Sequence, residues 1–240
     1  MNLKGKTALI TGGAHRVGRI LSLTLAEAGV NVIVHYGSSH AAAEQTLSEI
    51  RQKGVSGWLI QADLNQLEEL EGVVEQAWRL SPFQILVNNA AIFEPLRWDQ
   101  VTLSDWQRHL NINLTAPFLL SQAFARRLTE QEGRIINILD WRALRPVDDH
   151  LPYTISKAAL ASLTRSLAVA FAPSITVNGI ALGAILPPAD GGDVHQAISG
   201  VPAGRWAQPQ EVGQALLYLL GSATYTTGEI LHVDGGRHLI

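Results

Sequence analysis

Short apolar runs alternate along this chain with longer stretches in which apolar residues recur every three or four positions. Thr7–Thr11, Val30–His35, Trp58–Gln61, Ile85–Val87, Ile135–Leu139, Ile175–Ile180 and Ile230–Val233 read as strands, several of them apolar nearly throughout. Strands of that kind are buried on both faces, which calls for a parallel sheet covered by helices. Between them, Val17, Ile20, Leu21, Thr24, Leu25 and Ala28 follow one helical stripe, and Val212, Ala215, Leu216 and Leu219 follow another. The pattern predicts an α/β fold, a Rossmann-like doubly wound parallel sheet of about seven strands with helices on both faces. Neither a low-complexity linker nor a repeat of fixed period interrupts it, so residues 1–240 are read as a single domain.

Composition narrows the classes. With 240 residues, 47% of them hydrophobic and 16% charged, the chain can bury a substantial core and does not resemble a disordered segment. Its net charge of −3 and lack of a basic run argue against non-specific nucleic-acid binding. The absence of cysteine removes disulfides and thiolate metal sites, and no metal is expected. The first apolar run, Thr7–Thr11, is too short for a signal peptide or a membrane span. A cytoplasmic protein is expected.

Thr11-Gly12-Gly13-Ala14-His15-Arg16-Val17-Gly18 joins the first strand to the first helix. Glycines there let backbone approach a pyrophosphate, and the helix N-terminus favours its charge. The end of the second strand, His35-Tyr36-Gly37-Ser38-Ser39-His40, lacks the acid that bonds the ribose hydroxyls of NAD. Arg16, Ser38 and Ser39 instead suit a 2′-phosphate, which predicts NADPH; the two serines equally suit the cap of a following helix. Asp63, after the third strand, is placed either to bond an adenine amine or to start a turn. Asn89 and Ala90 close the fourth strand, where small residues leave room for ribose and nicotinamide.

Tyr153 and Lys157 are four apart at the start of an apolar-striped segment carrying Leu160, Leu163, Leu167 and Phe171, so a helix opening after Pro152 puts them on one face. A neighbouring ammonium favours phenolate and makes Tyr153 a candidate general acid. By itself the spacing also fits a partly buried tyrosine beside a solvated lysine, and Asn113 fits a helix-surface amide.

Taken together, the Thr11–Gly18 turn, Asn88-Asn89-Ala90, Asn113, Tyr153-x-x-x-Lys157 and the closing Val233-Asp234-Gly235-Gly236 resemble the short-chain dehydrogenase/reductase family over essentially the whole chain. Asp140, 13 residues before Tyr153 where most of the family has serine, resembles the pteridine and dihydromonapterin reductase branch. Arg16, the Asn88–Phe93 stretch and Gly179–Ile185 resemble it too, while Ala91, Leu182 and Ser38 depart from it. The resemblance implies an NADPH-dependent reduction of a pterin-type small molecule. Tyr153 would be the acid, Lys157 would lower its pKa and bind ribose, and Asp140 would serve substrate binding and proton delivery. Asn113 would hold a helix bend, with a water linking Lys157 to solvent. Cofactor contacts are implied at Gly12, Arg16, Val17, Gly18, Ser38, Ser39, Asp63, Asn89, Ala90, Tyr153, Lys157, Gly183 and Ile185. Substrate contacts are implied at Arg16, Phe93, Asp140 and Tyr153, with Phe93 as a stacking wall.

Residues 184–206 carry Pro187-Pro188, Gly191-Gly192, Gly200 and Pro202 without a sustained period, and read as a substrate-covering loop in which Gly191-Gly192 suit a hinge or, equally, an ordinary surface loop. Trp141 and Trp206 are candidate pocket walls. The helix after Tyr153 is apolar on more than one side, which together with the resemblance implies a homotetramer. Two alternatives stand beside the pterin reading: a carbonyl reductase of 3-oxoacyl thioesters or small ketones, and a non-catalytic NADP(H)-binding regulator.

Overall fold

Strands β1 (Thr7–Ile10), β2 (Asn31–Tyr36), β3 (Gly57–Gln61), β4 (Ile85–Asn88), β5 (Gly133–Asp140), β6 (Ile175–Leu182) and β7 (Ile230–Val233) form one sheet in the computed structural model. The structure describes residues 1–128, 132–187 and 198–240. All seven strands are parallel, in the order β3-β2-β1-β4-β5-β6-β7. Each predicted strand is present. β5 and β6 outrun their apolar cores because they pair in register from Gly133 opposite Ile175 to Asp140 opposite Leu182. That pairing carries the polar Asp140 to the end of a strand.

Alternation sorts the strand residues into two cores. Ala8 and Ile10 pack with Leu21 and Leu25 of α1 (Arg16–Glu27) and with Val212 and Leu216 of α7 (Pro209–Leu217). Leu9 points the other way, towards Val73 and Ala77 of α3 (Leu70–Leu80) and Leu120 and Phe124 of α5 (Ala116–Arg127). Both faces are therefore dry, and this is why the runs read as apolar throughout. Truncating a fully buried side chain such as Leu9 to alanine would cost about 2–5 kcal/mol.

On the α3 side, α4 (Leu103–Leu110) starts at a capping box between Thr102 and Asp105 and passes into α5 through a wide π-type turn, Asn111–Thr115. Pro117 has no N–H to give to the carbonyl of residue 113, so the ladder is broken there. Asn113 thus lies in this bulge and not on a regular helix. The remaining helices are α2 (His40–Gln52) and α6 (Leu151–Ala170). No helix among the described residues is long and apolar enough to cross a membrane.

Candidate active site

The strand order reverses between β1 and β4, and the crevice at their carboxyl ends is where open α/β sheets bind ligands. The glycine turn fills one wall of it. Gly12 has φ +60, and a Cβ there would lie 3.0 Å from the Ala90 Cα. A Cβ on Gly18 would lie 1.9 Å from the Gly12 carbonyl oxygen, so helix and turn meet backbone to backbone. The Thr11 hydroxyl accepts from the backbone N–H groups of Asn89 (2.9 Å) and Ala90 (3.0 Å). The Asn89 amide donates to the carbonyls of Thr11 (2.9 Å) and Gly12 (3.1 Å). Asn89, one of the expected cofactor contacts, thus also shapes the turn.

His35 braces the turn from below. Its Nδ1 accepts from Gly12 N–H at 3.2 Å, and its Nε2 lies 3.2 Å from the carbonyl of Ala62. Burial lowers its pKa to about 4, which keeps the ring neutral and leaves Nδ1 free to accept. Backbone N–H groups and the start of α1, with Val17 and Gly18 in its first turn, give this wall the chemistry that a diphosphate requires. A dinucleotide fits it.

The other predicted cofactor residues are less uniform. Arg16 opens α1 at φ +49 and donates to the Pro187 carbonyl at 2.9 Å, tying the turn to the segment after β6. Ser38 is exposed, and Ser39 precedes α2 without any side-chain cap bond, so the capping alternative is not realised. Asp63 accepts from the Asn65 N–H at 2.9 Å, which is the turn-starting alternative. Gly183 bonds the Val233 carbonyl at 3.0 Å and is packed against Asp234, where a Cβ would lie 2.6 Å from its Cα. Ile185 is buried in the core on the α1 side of the sheet. Gly191 and Gly192, the expected hinge, lie outside the described residues.

Helix α6 begins at Leu151 and carries Pro152 within its first turn, two residues earlier than the sequence pattern predicts. Proline fits there because the first helical N–H groups need no partner within the helix. Tyr153 and Lys157 do share a face, and both are buried. Tyr153 donates to Asp140 Oδ2 at 3.1 Å, while Asp140 Oδ1 accepts from the Arg142 N–H at 2.9 Å. Lys157 donates to the Ile138 carbonyl at 2.7 Å and stands 5.7 Å from the centre of the Tyr153 ring.

Burial raises the pKa of Asp140, against the pull of the Arg142 N–H, Arg142 and Lys157. Burial, then the charge and the hydrogen bond of Asp140, hold the Tyr153 phenol well above its usual value. The expected depression of Tyr153 by Lys157 is thus corrected. The nearest partner of the phenol is an acid, and Lys157, lowered by burial to about 8, is turned to Ile138.

Asn113 reaches across from the π turn. Its side-chain oxygen accepts from Ile92 N–H at 2.9 Å, and its amide donates to the Ile92 carbonyl (3.0 Å) and the Ser156 hydroxyl (3.0 Å). It fastens the segment bearing Phe93 to the helix bearing Tyr153, through Ser156 and not through Lys157.

Phe93 is half exposed, as a ligand-facing wall requires, but His150 already stacks on it at 3.9 Å and 8°. The edge of Tyr153 meets it at 4.6 Å, and the Arg142 guanidinium carbon stands 5.2 Å from its ring centre. Arg142 also bonds Asp149 at 3.0 Å and lies over Trp141 at 4.8 Å. Of the two candidate pocket walls, Trp141 is buried next to Asp140, and Trp206 is half-buried just ahead of α7. Sequence reasoning missed Arg142, Asp149 and His150. The available signal was the charge density of the connection between Asp140 and Tyr153, which a core helix entry would not need.

Residues 12–238 match the family model described as Enoyl-(Acyl carrier protein) reductase. The 3-oxoacyl-[acyl-carrier-protein] reductase FabG of Aquifex aeolicus is 34% identical, covering 98% of each chain. The 2-dehydro-3-deoxy-D-gluconate 5-dehydrogenase of Bacillus subtilis is also 34% identical, over 98% of this chain and 95% of its own. Among solved structures, FolM alternative dihydrofolate reductase 1 of Brucella canis, complexed with NADP, superposes with a TM-score of 0.91 at 33% identity, covering 100% of this chain and 97% of that one.

Proposed function

The chain belongs to the short-chain dehydrogenase/reductase family, and within it we propose a cytoplasmic, NADPH-dependent reductase of a pterin-type substrate: a dihydropterin, dihydrofolate or dihydromonapterin. The observation that carries this reading is the hydrogen-bonded pair of Asp140 and Tyr153, a carboxyl group where most of the family places a serine hydroxyl. A lone hydroxyl suffices to steady a carbonyl oxygen. A pterin offers ring nitrogens that must be bonded and protonated, and a carboxyl beside a phenol supplies both functions. The likeness to the Brucella FolM enzyme supports it.

Bound NADPH supplies the hydride. The glycine turn, braced by Thr11, Asn89 and His35, would hold its diphosphate, Arg16 and Ser38 its 2′-phosphate, and Lys157 the nicotinamide ribose. Tyr153 would give its proton to a ring nitrogen, and Asp140, whose pKa burial raises, would resupply the phenol oxygen from its protonated form once the Tyr153 O–H turns from the carboxyl to the substrate. One proton leaves the pair, the carboxyl ends ionised, and the phenol stays neutral throughout. A phenol with a raised pKa is therefore no obstacle. Phe93 and His150 shape the flat wall, and Asn113 keeps that wall in register with α6.

The protein is further proposed to act as a homotetramer. Ile155, Ala159, Ser162, Ser166 and Val169 form a stripe of small and apolar residues along the outer side of α6, with Val169 81% exposed, and a flat face of that kind suits another helix. Sedimentation velocity would read the assembly directly.

A second reading, reduction of a 3-oxoacyl thioester, is favoured by the names of several curated relatives. A substrate panel separates the two. With NADPH followed by absorbance, 7,8-dihydrobiopterin, dihydrofolate and acetoacetyl thioester are offered to the same preparation. Turnover confined to the thioester defeats the pterin reading.

A further inference from the structure

Phe93 stands on a stretch, residues 89–97, that forms neither helix nor strand. A phenylalanine 51% exposed on such a stretch keeps a fixed ring plane only if something packs on its face. His150 does this, with its ring centre 3.9 Å from that of Phe93 and the two planes 8° from parallel. The histidine is itself held. Its carbonyl accepts from the Thr154 N–H at 2.9 Å in the first turn of α6, and its side chain is only 12% exposed. Its Nδ1 lies 3.1 Å from Asp149 Oδ1, while Asp149 Oδ2 accepts from Arg142 at 3.0 Å. The two stretches run side by side: the Leu151 N–H donates to the Leu96 carbonyl at 2.9 Å, and Arg97 faces Asp148 at 3.8 Å.

We propose that His150 is a positioning residue, the rear layer of a stack that fixes the plane of Phe93 so that the open side of that ring takes a planar heterocycle in preference to a flexible acyl chain. The inference rests on the reading of Phe93 as the substrate wall and deepens it by naming the group that makes the wall rigid.

A ring whose plane is set before the ligand arrives does not have to be ordered by it, and the ligand keeps that part of its binding energy. An acyl chain has no face to match and gains little from such a wall. His150 and Tyr153 stand three residues apart at the start of α6, so one piece of backbone sets both the rear of the wall and the proton donor. The edge of Tyr153 meets Phe93 at 4.6 Å and 77°, which fixes the distance between them. The Arg142–Asp149 pair acts here as a strut, and the Arg142 N–H also holds Asp140 Oδ1 at 2.9 Å. Imidazole suits the place because it offers a flat face to Phe93 and a polar edge to Asp149. Alanine has neither, glutamine has only the polar end, and phenylalanine has only the face.

The test reads binding, which does not depend on which substrate is reduced. Calorimetry on the NADP-loaded protein measures biopterin, a planar and already oxidised ring, with NADPH affinity of each variant as the check that the fold is intact. His150→Ala and His150→Gln should each weaken biopterin about fivefold, and His150→Phe should bind within about twofold of the wild type. In a Phe93→Ala background, His150→Ala should add less than about twofold, because the wall it supports is gone. Unchanged affinity in His150→Ala, equal losses in the alanine and phenylalanine variants, or full additivity with Phe93→Ala would overturn the proposal. Turnover of 7,8-dihydrobiopterin with biopterin affinity indifferent to His150 would keep the pterin reading and remove the positioning role. Binding that depends on His150 in a protein that reduces only acetoacetyl thioester would do the reverse, and a wild type that does not bind biopterin would defeat both.

Discussion

Tyr153 gives its hydrogen bond to Asp140 at 3.1 Å, so the candidate acid of this site is coupled to a carboxyl group and not to the lysine one turn away. Both groups are shifted upwards, Asp140 chiefly by burial and Tyr153 by burial and Asp140. The proton needed for reduction is therefore held by the pair. As pH rises through the elevated pKa of Asp140, that proton is lost and kcat should fall. Asp140→Asn removes the dissociable proton, so the alkaline limb should move and pterin turnover should drop about a hundredfold. Tyr153→Phe should lower turnover by about the same factor with little change in NADPH affinity. A pH–rate profile of the three proteins checks both, and near-normal turnover in Tyr153→Phe would place delivery on Asp140 alone.

Asn113 makes three buried bonds that join Ile92 to Ser156. Asn113→Ala leaves those partners unsatisfied and should destabilise the fold by about 2–4 kcal/mol, since each buried orphan costs ~1–3 kcal/mol. Because the same bonds set Phe93 against α6, KM for the substrate should rise more than KM for NADPH. Denaturant melts and steady-state kinetics measure the two effects separately.

The strands and the order of the site residues were legible because each leaves a mark on one segment: an apolar run, a glycine turn, a four-residue spacing. What was not legible depends on segments distant in the chain. Lys157 looked like the partner of Tyr153 because four residues make one helical turn, yet Ile138, on a neighbouring strand, presents a carbonyl that captures the ammonium. Phe93 read as an open wall because nothing local shows that His150, 57 positions on, lies flat against it. That Asn89 also ties Thr11 and Gly12 was hidden, because those bonds form only when β4 lies beside β1. Arg142 drew no notice, since a surface arginine in a loop is ordinary until Trp141, Phe93 and Arg237 surround it.

Lys157 is buried and its pKa falls from 10.5 to about 8. A lysine whose folded-state pKa lies below its unfolded value binds fewer protons folded than unfolded in the window between them. Stability should therefore rise as pH increases from about 8 to 10.5, by an amount on the order of 3 kcal/mol. Lys157→Met should remove this rise. Urea midpoints at several pH values in that window test it, and a wild-type midpoint falling relative to Lys157→Met would contradict it.

Arg16 ties the glycine turn to Pro187 across the mouth of the cofactor crevice. With no acid at the end of β2, NADPH should bind more tightly than NADH by about tenfold, or ~1.4 kcal/mol. Arg16→Ala should erase most of that preference and leave NADH affinity little changed. Calorimetry with both cofactors decides whether the guanidinium reads the 2′-phosphate.

On the proposed pterin reading, Asp140 serves a ring nitrogen and not a simple carbonyl. Asp140→Ser restores the hydroxyl that most of the family carries and deletes the buried proton of the pair. The decisive measurement is kcat/KM of wild type and Asp140→Ser with 7,8-dihydrobiopterin and with acetoacetyl thioester, NADPH in excess. The predicted result is a loss of about a hundredfold on the pterin, with thioester reduction held or increased. A serine variant that reduces the pterin as well as the wild type does, or a wild type that turns over only the thioester, would contradict it.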